Sequence, residues 1–196
     1  MGTHLTRFSS LLAAMLALAG TAGAQGELPK EKGPARTVGM FDFFCLSQLP
    51  DLDAIVKAAG FGEFAQITGD ELKQYEPAAA PEKLYAWSFH DHGAKHVLTA
   101  SQSKPDEEFK KTVPAFAKST SVACSLLIPT GGPKEALLNA LVARLGRKPD
   151  ESWDEGPLRV HAWSGQNDKL LSHVHYYAPA KDGPLAVLSA STFVKD

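Results

Sequence analysis

The sequence has only two cysteines among its 196 residues and no strong excess of either charge. Two thiolates cannot form a four-cysteine zinc site, and they are too few for a disulfide-dense miniprotein. The formal net charge of −2 argues against a general nucleic-acid-binding protein, because such proteins carry a basic excess or stripe. The apolar fraction of 44% instead indicates a globular domain with a substantial core.

Motifs of the common enzyme classes are also missing. The chain has no G-x-S-x-G nucleophile elbow, no Walker-type phosphate loop and no three-glycine dinucleotide fingerprint. Acidic residues cluster at 150–151 and 154–155, a spacing that a glycosidase pair would allow but that is ordinary for a solvated loop. We therefore identify no catalytic residue and no organic cofactor from the sequence.

Residues 1–24 have the three-part organisation of a secretory signal peptide. Arg7 precedes an apolar run, and Ala22 and Ala24 supply the small residues of an A-x-A cleavage site. The run has only about ten residues, whereas a transmembrane helix needs about 20. The sequence predicts cleavage after Ala24, no transmembrane segment in the mature chain, and a periplasmic or secreted location.

The mature chain divides into a leader and one domain. Residues 25–36 hold two glycines and two prolines between charged residues, which predicts a flexible leader. Residues 37–196 carry the apolar patterns of a single α+β domain, with an antiparallel sheet of short strands and two main helices. The helices are predicted at 50–59 and 137–145, and the strands at 38–46, 84–89, 95–101, 121–128, 158–164, 170–178 and 185–194.

Cys45 and Cys124 both lie in the mature chain. In an oxidising compartment an even number of cysteines favours pairing, and two cysteines allow one bridge. Redox-active pairs usually lie close together, as in C-x-x-C, whereas these two are 79 positions apart. The sequence predicts a structural disulfide, with free buried thiols and a redox pair as the alternatives.

The two halves of the chain are similar in pattern. Each has a cysteine before a predicted helix, and each then carries Ala-Trp-Ser, at 86–88 and at 162–164. The tryptophans are 76 positions apart, close to the separation of the cysteines. This spacing suggests a duplicated β-α-β-β unit in which the two cysteines are equivalent, with coincidence among short strands as the alternative.

Five short segments carry a further resemblance: 38–45, 84–88, 122–126, 174–177 and 188–192. They are similar to segments of an uncharacterised family of small exported proteobacterial proteins with two cysteines, first catalogued in neisserial genomes. The resemblance covers most of the mature chain but departs from the family in a short final run and in a Pro/Lys-rich stretch before the second cysteine. It implies export and one compact domain, and it assigns no activity to any residue.

Four histidines form two His-x-His pairs, His90 with His92 and His173 with His175. On a strand this spacing places both rings on one face, as some zinc and copper sites require. Only Asp91 adjoins a pair as a supporting carboxylate, so we expect the histidines to be surface features of the two hairpins, with a zinc or copper site as the alternative.

Three functions therefore stay open. The leading hypothesis is a noncatalytic periplasmic binding or accessory domain that presents the open face or edge of its sheet to a protein or small ligand. The second is a metal-binding protein that holds zinc or copper with the histidine pairs, and the third is an enzyme of an unrecognised class. A cluster of the four histidines would favour the second, and a deep cleft with perturbed acidic or histidine groups the third.

Overall fold

The computed structural model describes residues 28–62, 64–77, 80–129, 134–179 and 185–195. One antiparallel sheet and four α-helices confirm the predicted α+β class. The signal peptide and its cleavage site lie outside the described residues. The helices are α1 (Gly33–Phe41), α2 (Leu52–Phe61), α3 (Glu107–Thr112) and α4 (Lys134–Leu145); the strands are β1 (Ala65–Ile67), β2 (Lys83–Asp91), β3 (Ala94–Ser103), β4 (Ser119–Pro129), β5 (Glu151–Glu155), β6 (Leu158–Gln166), β7 (Leu170–Pro179) and β8 (Leu185–Lys195).

The eight strands are ordered β1-β2-β3-β4-β8-β7-β6-β5. The first four strands therefore run in chain order from one outer edge to the centre, and the last four do the same from the other edge. The two sets meet at the central β4–β8 pair. Helices α1 and α2 precede the first set, and α4 precedes the second. The unit that recurs is a helical segment followed by four strands, which corrects the predicted β-α-β-β unit.

The tryptophans are equivalent in the two halves, but the cysteines are not. Trp87 and Trp163 lie on the second strand of each half, and both are buried beneath the helices. Cys124 lies in β4, whereas Cys45 lies in a π-helical turn, Asp42–Leu46, that follows α1. The prediction of equivalent cysteines is therefore wrong, because the disulfide joins a helical turn to a strand and not two matching strands.

The predicted disulfide between Cys45 and Cys124 is present. Their α-carbons are 5.4 Å apart, and both residues are buried. The bond ties the segment between α1 and α2 to the centre of the sheet.

The structure corrects the prediction of a strand at residues 38–46, which are helical instead. Val38, Phe41 and Phe44 recur every three residues and are all buried, which fits one face of a helix. Met40 and Phe43 lie between these positions, so residues 38–46 look mostly apolar in the sequence. Helix α1 starts at Gly33, so residues 33–36 belong to the ordered domain that was predicted to begin at Thr37.

Helices α1, α2 and α4 pack on one face of the sheet and form the main core with it. On the opposite face, called the open face below, the described part of the chain has only short covers. They include the 3₁₀ turn Leu72–Tyr75, which packs near Val97, and α3, whose Phe109 stacks on Phe193. The core is built from fully buried side chains of both layers, including Phe41, Phe44, Ile55, Leu98, Leu126, Leu141, Trp163 and Leu188.

Candidate functional site

Two neighbouring rows of side chains cross the middle of the open face, from β3 to β6. Apart from one histidine in each row, both rows consist of serine, threonine and alanine. The two imidazoles therefore stand above a floor of small side chains. The first row is Ser101, Ala123, Ser191, His173 and Ser164, and the second is Thr99, Ser125, Ser189, His175 and Ala162.

His173 and His175 lie side by side within a group of aromatic rings. Their own rings are nearly parallel, with centroids 6.0 Å apart. The edge of Trp153 meets His175 at 6.4 Å, and Phe193 meets His173 at 6.1 Å. Tyr177 lies 5.7 Å beyond His175. These five residues are called the aromatic cluster below.

The aromatic cluster is uncharged near neutral pH. Burial lowers the pKa of His173. Burial also lowers the pKa of His175, and His173 adds to this effect while Glu155 opposes it. Burial raises the pKa of the Tyr177 hydroxyl, and Glu155 adds to that shift. The cluster therefore offers aromatic surface and neutral hydrogen-bonding groups to a partner.

One ring nitrogen of His173 has a hydrogen-bonding partner. The hydroxyl of Ser164 lies 3.1 Å from Nδ1 of His173 on the neighbouring strand. Ser125 and Ser189 are also hydrogen-bonded to each other, at 2.9 Å. Each of these contacts joins neighbouring side chains within one row, the first in the row of His173 and the second in the row of His175.

The acidic segment interpreted as a loop is in fact the edge strand β5. It pairs with β6 alone among the described strands, and all of its residues are exposed. Glu151, Trp153 and Glu155 alternate along it and point to the open face, and 38% of Trp153 is exposed. Arg159 pairs with Asp154 at 3.1 Å. The edge therefore combines an exposed tryptophan with carboxylates.

The two His-x-His pairs do not meet. His90 lies near the end of β2 and His92 in the following turn, whereas His173 and His175 lie in β7. Four strand-to-strand steps separate β2 from β7, or about 19 Å at a spacing of about 4.8 Å. Within the described ranges, no group of three or more His, Cys, Asp or Glu side chains could hold a metal ion.

The other two described histidines lie on the helix-covered face. His161 contacts the hydroxyl of Ser152 through Nδ1 at 2.8 Å and stacks on Tyr176. His96 is 4% exposed and stacks on Phe89 at 5.2 Å. Among the residues that the structure describes, none is a hydrogen-bonding partner of the Nδ1 atom of His96.

We expect the protein to lose stability as the pH falls below about 6.5, in part because of His96. Burial lowers the pKa of His96, while Asp91 opposes this shift and His90 adds to it. The unfolded chain then binds a proton that the folded chain does not, so the free energy of unfolding falls between the unfolded and the folded pKa. Thermal denaturation between pH 7.5 and pH 5 measures this dependence.

Replacing His96 with Phe should reduce the slope of the melting temperature against pH. His92→Asn is the matched control, since His92 is exposed in a turn where its φ of 48° suits asparagine. An equal slope in the wild type and in His96→Phe would contradict the prediction.

Two depressions flank α1. A cavity of about 370 Å³ lies between α1, the segment that joins α2 to β1, and the end of β2. A wider depression of about 810 Å³ lies between the segment before α1, α1 itself and α4. The first is lined by charged and aromatic side chains together.

The fold and the aromatic cluster define a disulfide-bonded α+β domain with one sheet face largely free of helices. Comparison of the chain with protein-family models, with curated proteins and with solved structures finds no match. No helix within the described ranges has the length and hydropathy needed to cross a membrane.

Sequence reasoning found His173 and His175 but missed their surroundings. The loop interpretation of the acidic residues at 150–151 and 154–155 left Trp153 unnoticed, because Glu151–Glu155 lacks apolar alternation. The turn at Gly156–Pro157, between this segment and a clear strand, was the signal that could have indicated a hairpin.

Proposed function

We propose that the chain is an exported, noncatalytic binding domain that contacts a protein partner through the aromatic cluster and the β5 edge. The observation that carries the proposal is the exposed Trp153, which lies on an edge strand beside His175. Tryptophans at surfaces are frequent anchors of protein interfaces. An edge strand also has backbone groups that can pair with an added strand of a partner.

The charge of β5 favours one kind of partner. Glu151, Asp154 and Glu155 are exposed carboxylates, and Arg159 pairs with Asp154. A second copy of β5 would bring like charges together, which is unfavourable across a strand pair. An extended segment rich in lysine or arginine, with apolar residues between them, complements both the carboxylates and Trp153.

Two observations support export. The first 24 residues have the signal-peptide pattern, and disulfides such as Cys45–Cys124 persist mainly in oxidising compartments. On this proposal the mature protein is periplasmic. Intact-mass measurement of the exported protein should then give a chain that starts at Gln25 and has no free thiol.

The binding surface is tested with two short synthetic peptides, one alternating lysine with valine and the other glutamate with valine. We expect the mature protein to bind the basic peptide saturably in a titration followed by NMR, with shifts centred on β5. Added salt should weaken this binding, because exposed charges are screened. Trp153→Ala should weaken it about tenfold or more, as the loss of an anchor does.

The control for the charges is chosen from another exposed acidic site. The double variant Glu151→Gln and Glu155→Gln should lose affinity for the basic peptide, whereas Glu107→Gln on α3 should not. Equal binding of the two peptides, or full affinity in Trp153→Ala, would contradict the proposal.

A further inference from the structure

The cavity of about 370 Å³ lies at the opposite edge of the sheet from β5. It forms because β1 is short: Ala65 pairs with Ser88, and β1 extends no further along β2. Beyond this point, residues 89–91 of β2 face α1 and the segment around Phe64 instead of another strand. This space is called the edge cavity below.

The charged part of the edge cavity is an ion pair between Arg36 of α1 and Asp91 of β2. Nε of Arg36 donates to both carboxylate oxygens of Asp91, at 2.9 and 3.1 Å. The Arg36 side chain is 20% exposed and that of Asp91 is 16% exposed. Arg36 also donates to the carbonyl oxygen of Pro29. A positive and a negative group are thus held next to each other in the cavity wall.

The apolar part of the edge cavity adjoins this ion pair. Phe64 stacks on Phe89 with centroids 4.0 Å apart and planes 7° from parallel. Met40 and Leu28 complete the apolar lining. A bound molecule can therefore contact aromatic and aliphatic surface on one side and both members of the ion pair on the other.

We infer that the edge cavity binds a small zwitterion, an α-amino acid with an apolar or aromatic side chain. The carboxylate of the amino acid pairs with Arg36, its ammonium group pairs with Asp91, and its side chain packs against Phe64 and Phe89. A ligand with one charge would match only one member of the ion pair, whereas a zwitterion matches both. The cavity volume lies at the lower end of the range for small-molecule sites, which suits a single amino acid.

The experiment compares three probes that share one aromatic ring: phenylalanine, 3-phenylpropionate without the ammonium group, and phenethylamine without the carboxylate. Calorimetric titration of the mature protein should give saturable binding of phenylalanine at one site. Each analogue should bind about tenfold more weakly or worse, since it makes only one of the two charged contacts that phenylalanine makes. Leucine should bind and glycine should bind more weakly, because the aromatic wall contacts the side chain.

Two variants test which side chain of the cavity contacts each charged group of the ligand. Arg36→Gln should remove the preference for phenylalanine over phenethylamine, and Asp91→Asn should remove the preference over 3-phenylpropionate. Arg159→Gln is the control, because it breaks an arginine–aspartate pair on β6, far from the edge cavity. It should leave phenylalanine binding unchanged.

The comparison of probes on the wild-type protein decides the question even where a variant fails to fold. Equal affinities for the three probes, or no binding of phenylalanine at millimolar concentration, would overturn the inference. Retained discrimination in both folded variants would also overturn it. The proposal for β5 does not depend on these results, because its surface lies at the other sheet edge.

Discussion

Replacement of Cys45 and Cys124 together by alanine is expected to lower the free energy of unfolding by about 4.5 kcal/mol. The disulfide closes a loop with a sequence separation of 79, which strongly restricts the unfolded chain. Domains of ordinary stability unfold with about 5–15 kcal/mol, so the loss is a large fraction of the total. Urea denaturation of the wild type and the variant at pH 7 measures the difference.

Each single variant, Cys45→Ala or Cys124→Ala, should cost about as much as the double variant, because either one removes the bond. Reduction of the wild type by dithiothreitol should lower its stability to a similar level. A double variant as stable as the oxidised wild type would contradict this account of the fold.

Trp163→Ala should destabilise the protein by about 3–5 kcal/mol, the usual cost of removing a large aromatic side chain from a core. Trp163 is 1% exposed, and its indole Nε1 donates to the carbonyl oxygen of Arg147 at 3.1 Å. Trp163→Phe keeps much of the packing and loses the hydrogen bond, so its cost should be smaller. Chemical denaturation measures both variants.

Trp153→Ala provides the same substitution at an exposed position. It should lower the free energy of unfolding by clearly less than Trp163→Ala does, because Trp153 is 38% exposed at the sheet edge whereas Trp163 is 1% exposed. The two tryptophans thereby separate stability from binding: Trp163 supports the fold, and Trp153 serves the proposed interface. Similar destabilisation by both variants would contradict the assignment of Trp153 to the surface.

Several strands were predictable because apolar side chains alternate along them. Val122, Cys124, Leu126 and Ile128 share one face of β4, as the period of a strand requires. Helix α4 was predictable from apolar residues at helical spacing that end at Gly146, whose φ of 70° suits glycine at a helix end. The disulfide was predictable from the number of cysteines and the expected compartment.

The errors arose where local pattern is ambiguous. A run of adjacent apolar residues, such as 38–46, fits a buried helix as well as a buried strand, and only packing against α4 and the sheet distinguishes them. The edge strand β5 has a polar sequence because both its faces are exposed, so hydrophobic alternation cannot reveal it.

Local periodicity and the count of cysteines were enough to predict the class of the fold, most strand positions and the disulfide. The pairs of side chains that meet were not predictable in this way, because they depend on the tertiary structure. It separated the two histidine pairs by three strands, placed Trp153 beside His175, and joined Arg36 to Asp91 across 55 positions of the chain. These contacts depend on strand order and on the short length of β1, which are long-range consequences of packing that no local pattern encodes.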